Sequence, residues 1–377
     1  MGYESIDKLQ KCLQEKYFAR TEAPKKAAGR ALGTLVEIIT FYLIKNWGLE
    51  ANTAIERSLP EYANPDIMHN VEFTLHGSRK IAESKYDEKM LPLTSAKICR
   101  RSLSAERENL ERKGKILIDK SNILCNACTI AESKISHLLV NAYAKTELKQ
   151  YELYELTNHP FAMFECKRVG VEEGQRKGPQ TIEKAKQGSY VARTVSSLQR
   201  VRLIDGSIGG FIHVSKDGPQ VGNYHSLLDQ IIQSNEVELL ENFILTIGIV
   251  SNHGNWFTSE NPNKELKILA QSYDWLLFLT DSGISEFIEE LLLNPSEEYK
   301  AIQKAFENSY KEGKKKNIFT KVRIDSQADA ALNGFFQKNM AKIENWINVI
   351  SPKEGSLAKL KEDLKTLAAK NWWEIYR

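Results

Sequence analysis

The feature that most constrains the fold of this chain is a change in the spacing of its apolar residues. In residues 30–49 the apolar residues recur at helical spacing, and Gly48 ends the run. The later segments 151–156 and 161–169 are instead rich in aromatic residues, and the short segment Thr-Asn-His-Pro at 157–160 separates them. Two such segments joined by an Asn/Pro turn predict a β-hairpin.

The remaining segments predict a mixed sheet flanked by helices. Residues 243–250 and 275–281 have the β-branched and aromatic content of buried strands, and residues 71–77 are a further strand candidate. The segments predicted as helices are 104–113, 126–145, 179–201 and most of the last 95 residues. This order predicts a mixed α+β fold with helical additions at both ends.

We expect three regions along the chain. Residues 1–125 and 282–377 are predicted to be mainly helical, and residues 126–281 are predicted to form the core that carries the chemistry. A length of 377 residues has room for such an organisation.

Composition excludes several classes of protein. With 27% charged and 42% hydrophobic residues, the chain is neither collagen nor wholly disordered, and its five cysteines predict a reducing compartment. The longest apolar run, residues 34–44, is interrupted by Glu37, so a membrane-spanning helix is not expected. The first residues match neither an export signal nor a myristoylation site. We therefore expect a cytoplasmic protein without a membrane partner.

Charge is distributed unevenly along the chain. The net charge is only +3, but between residues 165 and 202 nine Lys/Arg oppose four Glu. A local basic block in a nearly neutral protein predicts a surface that faces a polyanion. The alternative is an ordinary solvated helix face.

The tripeptide Glu165-Cys166-Lys167 is the strongest candidate for chemistry. Eight Glu-x-Lys tripeptides occur in the sequence, but only this one ends an apolar strand. Because side chains alternate across a strand, Glu165 and Lys167 are expected on the same face. Two charges at the end of a buried strand are costly unless they have a partner, and Mg²⁺ would stabilise the carboxylate.

Mg²⁺ chemistry needs a second carboxylate. In the predicted hairpin Glu152 lies opposite Glu165, with Cβ atoms about 5 Å apart. This register places Glu155 on the other face, although a slip of one residue would reverse the choice. Glu132 on the preceding predicted helix is a candidate third acid, and equally an ordinary surface residue. Asp66 follows a proline, but a turn explains that pair better.

An acidic residue followed by Glu-x-Lys on the next strand, flanked by helices, resembles the PD-(D/E)XK nuclease superfamily. Residues 164–202 and 251–281 are similar to segments of type II restriction endonucleases, and the resemblance covers roughly residues 126–281. It implies Mg²⁺-dependent cleavage of double-stranded DNA to 5′-phosphate ends in a bacterial or archaeal cell. A homodimer is expected for palindromic sites, and a cognate DNA methyltransferase is implied. The first acid of the family is usually Asp, which Glu152 is not.

In this hypothesis Glu152 and Glu165 hold Mg²⁺ with the carbonyl of Cys166. Lys167 orients the attacking water or takes its proton. The predicted helix from Pro179 and the segment after the strand 243–250 supply DNA contacts. The candidate contacts are Lys184, Lys186, Tyr190, Arg193, Ser197, Gln199, Arg200, Arg202, Asn252, His253 and Asn255.

Two other functions remain open on sequence alone. One is a non-catalytic DNA-binding protein on the same fold, and the other is a repair or junction nuclease that recognises DNA structure. Cys125 and Cys128 have the spacing of a zinc-ligand pair, but no second pair follows. Trp372 and Trp373 are predicted to serve packing or an interface.

Overall fold

The computed structural model describes residues 6–57, 71–103, 110–145, 148–169, 196–252, 264–310 and 317–376. Within these ranges the helices are α1 (Ile6–Tyr17), α2 (Pro24–Ile44), α3 (Ser95–Ser102), α4 (Tyr224–Gln233), α5 (Val237–Leu240), α6 (Lys264–Ala270), α7 (Asp281–Ile288), α8 (Lys300–Tyr310), α9 (Ser326–Glu344), α10 (Leu357–Ala368) and α11 (Trp372–Ile375).

The strands are β1 (Thr53–Arg57), β2 (Val71–Lys85), β3 (Leu93–Thr94), β4 (Glu111–Arg112), β5 (Ile116–Ile118), β6 (Ile123–Cys125), β7 (Cys128–Glu132), β8 (Ser136–Lys145), β9 (Leu148–Val169), β10 (Leu198–Arg202), β11 (Ile208–Ile212), β12 (Gln220–Gly222), β13 (Leu245–Asn252), β14 (Trp275–Leu279), β15 (Arg323–Asp325) and β16 (Ile347–Ser351).

A large mixed sheet organises the protein around β9. Strand β2 pairs with β9 along one edge, and β1 pairs with β2. Along the other edge, β8 pairs with the first half of β9 and β13 pairs with its second half. Strand β13 runs parallel to β9 and to β14, whereas the other pairs in this sheet are antiparallel. Two small sheets, β10-β11-β12 and β15-β6-β5-β3, accompany it.

Helices cover both faces of this sheet. On one face, α2 packs in the same apolar core as Ala162 and Phe164 of β9. On the other face, Met163 lies in a second core with Leu266 and Leu269 of α6. The predicted mixed α+β class is therefore confirmed, and so are the predicted strands at 71–77, 243–250 and 275–281.

The predicted hairpin at 151–169 is wrong, because β9 runs without a turn through all 22 residues. Asn158 continues the ladder by donating its backbone N–H to the carbonyl of Ile135 at 3.1 Å. Pro160 has no N–H to donate, and it lies opposite His76 where β2 bulges. At about 3.3 Å per residue, on the order of 40 Å of strand separates Glu152 from Glu165.

The predicted helix at 126–145 is also wrong, because β7 and β8 form a hairpin there. Ile135, which the helical spacing placed on the apolar face, is 73% exposed at the turn. The hydroxyl of Ser133 closes this turn by accepting the N–H of Ser136 at 3.0 Å. The spacing of apolar residues was misleading because both faces of β8 are buried.

Two further helix predictions fail in part. Residues 104–109 lie outside the described residues, but 111–112 form strand β4. Residues 179–195 likewise lie outside them, whereas 198–202 form strand β10. The helical stripe that would have aligned Ser197 and Arg200 with earlier basic residues does not extend to these two positions.

The regions predicted to be helical also contribute strands to the central sheet. Strands β1 and β2 precede residue 126, and β16 follows residue 281. Among the described residues, one helical segment, Pro24–Asn52, is long and apolar enough to cross a membrane. In its most apolar window 67% of the residues are buried inside the protein, as in a core helix.

Candidate active site

The candidate site forms where β9 ends between β2 and β13. Glu165 and Lys167 share one face of β9, as predicted, and Lys167 Nζ lies 2.6 Å from Glu165 Oε1. Glu165 is only 2% exposed, so the strand holds this carboxylate in a fixed place. Cys166 faces the opposite side, where its Sγ lies 3.3 Å from Thr40 Oγ1 of α2, and burial raises the pKa of its thiol. The thiol is therefore not at the site, and its carbonyl stays a predicted ligand.

The second carboxylate beside Glu165 comes from Glu72 on the neighbouring strand β2. In the antiparallel register Phe73 pairs with Phe164, which brings Glu72 next to Glu165. The backbone N–H of Glu72 donates to Glu165 Oε2 at 3.3 Å, and Glu72 Oε1 lies 3.7 Å from Lys167 Nζ. Glu72 lies in the predicted strand 71–77, but no pattern in the sequence identifies it as a site residue.

Lys321 brings two more acidic residues to the same place. Its ammonium group contacts the carboxylate of Glu72 and lies 3.0 Å from Glu37 Oε2 and 3.2 Å from Glu56 Oε1. Glu37 belongs to α2 and is the charge that interrupts the apolar run 34–44, which was the available signal. We call the six residues Glu37, Glu56, Glu72, Glu165, Lys167 and Lys321 the carboxylate cluster.

The carboxylate cluster can supply ligands to a hard divalent cation, although not as a complete cage. No group of three or more His, Cys, Asp or Glu in the described ranges is arranged to hold a metal ion. Mg²⁺, however, commonly takes one or two carboxylates and completes its shell with waters and substrate phosphates. Glu72 and Glu165 on adjacent strands offer this donor set, so the residues present fit such an ion.

A packed wall supports Glu165 from the β13 side. Gly248 pairs with Glu165, and a Cβ atom at this glycine would lie 2.7 Å from the ring of Tyr273. Arg200 stacks on the ring of Tyr224 at 3.8 Å and donates to the carbonyl of Tyr273 at 2.9 Å. Arg200 was predicted to contact DNA, but in the structure its guanidinium supports this wall.

The carboxylates that sequence analysis favoured lie elsewhere in the sheet. Glu152 accepts hydrogen bonds from Lys80 and Tyr154, each at 2.6 Å. Burial alone would raise the pKa of Glu152, but these hydrogen bonds outweigh burial, and the pKa is lowered. Glu155 accepts from Arg79 at 2.6 Å. Glu132 lies on β7 with Lys113 Nζ 2.9 Å away. The prediction that Glu152 opposes Glu165 is therefore wrong, and Glu132 belongs to a half-buried ion pair away from the cluster.

Several predicted DNA contacts are engaged inside the protein. Ser197 is fully buried and donates its hydroxyl to the carbonyl of Leu239 at 2.7 Å. Gln199 donates to the carbonyl of Ser196 at 2.6 Å. Asn252 is buried, with 4% of its surface exposed. Arg202 alone of the described candidates is exposed. The other candidate residues lie outside the described residues: Lys184, Lys186, Tyr190, Arg193, His253, Asn255 and Asp66.

Comparison with known proteins returned no relative. No protein-family model matches the chain, and neither a curated protein nor a solved structure matches it at a significant level. The geometry of the carboxylate cluster is therefore what supports a function.

Proposed function

We propose that this protein is a Mg²⁺-dependent endonuclease that hydrolyses phosphodiester bonds in double-stranded DNA. One observation carries the proposal: Glu165 and Lys167 of β9 lie beside Glu72 of the adjacent strand β2. An acid and a Glu-x-Lys on neighbouring strands flanked by helices is the arrangement on which the resemblance to PD-(D/E)XK nucleases was based. Glu72 takes the role that the sequence had suggested for Glu152.

The site combines a buried carboxylate with a lysine that reaches solvent. Glu165 is buried, whereas the side chain of Lys167 is 30% exposed and reaches solvent beside it. A bound Mg²⁺ would acidify a water and stabilise charge on the phosphate and the leaving oxygen. Glu72 and Glu165 would hold the ion, and Lys167 would orient the water and face the phosphate.

The restriction-type part of the proposal has less support from the described residues. Within the basic block 165–202, Arg202 is exposed and Lys167 lies at the site, whereas Arg200 is packed. Sequence specificity, a homodimer and a cognate methyltransferase follow from the resemblance alone. A non-catalytic DNA-binding protein on the same fold is the second candidate. The ion pairs between Lys321 and three carboxylates favour it, because such pairs also stabilise a fold without any metal.

Cleavage of a supercoiled plasmid, with Mg²⁺ or with EDTA, tests the proposal. We expect wild type to cut only with Mg²⁺, and Glu165→Gln and Lys167→Ala to lose about 100-fold or more in rate. Both variants should still bind DNA in a mobility-shift assay. Glu132→Gln makes the same chemical change at a distant carboxylate and should cut normally.

The outcomes separate the candidates. If wild type binds DNA but does not cleave it with any divalent cation, the second candidate, a non-catalytic DNA-binding protein, would be supported. Retained cutting by Lys167→Ala would contradict the assigned site. The mapped ends then distinguish a restriction enzyme, which cuts at one short sequence, from a nuclease that recognises DNA junctions.

A further inference from the structure

Lys321 is a buried cation, and hydrogen bonds hold its backbone in place. Its side chain is 3% exposed. Thr320 accepts the N–H of Arg323 on its hydroxyl at 2.9 Å, which closes a turn around Lys321. The side chain of Asn126 donates to the carbonyl of Lys321 at 3.0 Å, and its backbone N–H donates to the carbonyl of Val322 at 2.8 Å. The ammonium group is therefore aimed at the carboxylate cluster from a rigid support.

Counted over the described residues, the charges of the carboxylate cluster do not balance. Four carboxylates face two ammonium groups, Lys167 and Lys321. Without Lys321, the carboxylates of Glu37 and Glu72, which are 26% and 14% exposed, would repel each other and the more exposed carboxylate of Glu56 across a few ångströms. Protonation of one carboxylate, or another cation at the same place, would relieve that repulsion.

Glu56 gives an independent sign that the structure is arranged around Lys321. Its backbone has φ +51°, in the left-handed region that residues other than glycine rarely adopt. In this conformation the carboxylate of Glu56 lies 3.2 Å from Lys321 Nζ. A strained backbone that supplies a third anion to one lysine indicates a defined role for that lysine.

We propose that Lys321 is a positioning residue that competes with the divalent cation for Glu72. Before the cation binds, Lys321 neutralises Glu72 and keeps it next to Glu165. With a cation bound to Glu72, the ammonium group would keep its contacts with Glu37 and Glu56. This inference rests on the proposed use of Glu72 and Glu165 as cation ligands. It concerns affinity for the ion, and it is independent of whether the bound enzyme cuts DNA.

Calorimetric titration of the full chain with Mg²⁺ and with Ca²⁺ tests this competition. We expect Lys321→Met to bind either ion at least about tenfold tighter than wild type, because the competing charge is gone. Its melting temperature should be lower than wild type without cation and should rise more when cation is added. Lys321→Arg keeps the charge and should stay within about threefold of wild-type affinity. Adding Glu72→Gln to Lys321→Met should abolish the gain.

A folded Lys321→Met that binds these ions no tighter than wild type overturns the proposal, as does absence of binding to both proteins. If Lys321→Met does not fold, Lys321→Met/Glu56→Gln removes one charge of each sign. It should bind tighter than Glu56→Gln alone, and equal affinity would overturn the proposal. Cleavage by wild type with unchanged affinity in Lys321→Met refutes this inference only. Tighter binding without any cleavage refutes the proposed function only.

Discussion

Gly248 offers a strong test of how the wall behind Glu165 is packed. Residue 248 pairs with Glu165, and a Cβ atom there would lie 2.7 Å and 2.9 Å from two ring atoms of Tyr273. Real Cβ atoms essentially never approach other heavy atoms below 3.0 Å. Tyr273 is 1% exposed, so its ring has no open space into which to retreat. Gly248→Ala therefore forces the ring or strand β13 to shift.

Overpacking by one methyl group in a closed core costs about 1–3 kcal/mol. We expect Gly248→Ala to lose that much in the free energy of unfolding, measured by urea denaturation with circular dichroism. If the protein cuts DNA as proposed, the variant should also cut more slowly, because Glu165 shares the displaced ladder. The double variant Gly248→Ala/Tyr273→Leu should recover at least about 0.5 kcal/mol relative to the sum of the single changes.

Gly33→Ala is the matched control. Gly33 lies inside α2, and a Cβ atom there would meet nothing within 4 Å. The same change should therefore stabilise the protein by about 0.5–1 kcal/mol, because alanine favours the helix. A Gly248→Ala protein as stable as wild type, with unchanged cleavage, would refute the packing argument.

Further predictions concern a histidine pair and the C-terminal tryptophans. Burial lowers the pKa of His76, and it lowers that of His137 to about 4. In the unfolded chain these histidines take up a proton near pH 6.5. The free energy of unfolding should therefore fall as pH is lowered from 7 towards 4, and the midpoint of urea unfolding should depend less on pH in His137→Gln. Trp372 is fully buried and stacked on Phe161. Trp372→Ala should therefore lower the free energy of unfolding by about 3–5 kcal/mol in the same assay. Trp373→Ala loses the contact of its ring with Arg79 and should lower the free energy of unfolding by about 1 kcal/mol.

Local patterns predicted the strands that are buried on both faces. Residues 245–252 and 275–279 consist almost entirely of buried side chains, and their β-branched and aromatic content was a sufficient signal. The same property explains the wrong prediction at β8, where Leu138, Leu139 and Val140 are all buried. Three consecutive buried residues leave no alternation, so helical spacing fitted by chance.

The hairpin error at 157–160 had a different physical cause. Asn and Pro favour turns through local preferences. Here β2 bulges opposite Pro160, where that residue has no N–H to donate to the ladder. The side chain of Asn158 donates to the carbonyl of Ser133 in the β7–β8 turn. These partners are distant in sequence, so no local pattern reports them. Trp372 also packs against Gly77 beside this point, where any side chain on residue 77 would collide with it.

The candidate site was predicted in part for the same reason. The pair Glu165 and Lys167 depends only on alternation along one strand, and the structure confirms that they share a face. Glu72 and Lys321 reach them through pairing with β2 and through a turn more than 150 residues later. Contacts of this kind are set by the register of the sheet, which one sequence does not specify.

Comparing Glu72→Gln with Glu152→Gln tests the central claim most directly. Both changes remove one negative charge from a carboxylate on the same sheet, and only Glu72 lies beside Glu165. We predict that Glu72→Gln loses Mg²⁺ binding by calorimetry together with plasmid cleavage, and that Glu152→Gln keeps both. Normal binding and cleavage by Glu72→Gln, with loss of both in Glu152→Gln, would contradict the assignment of the site.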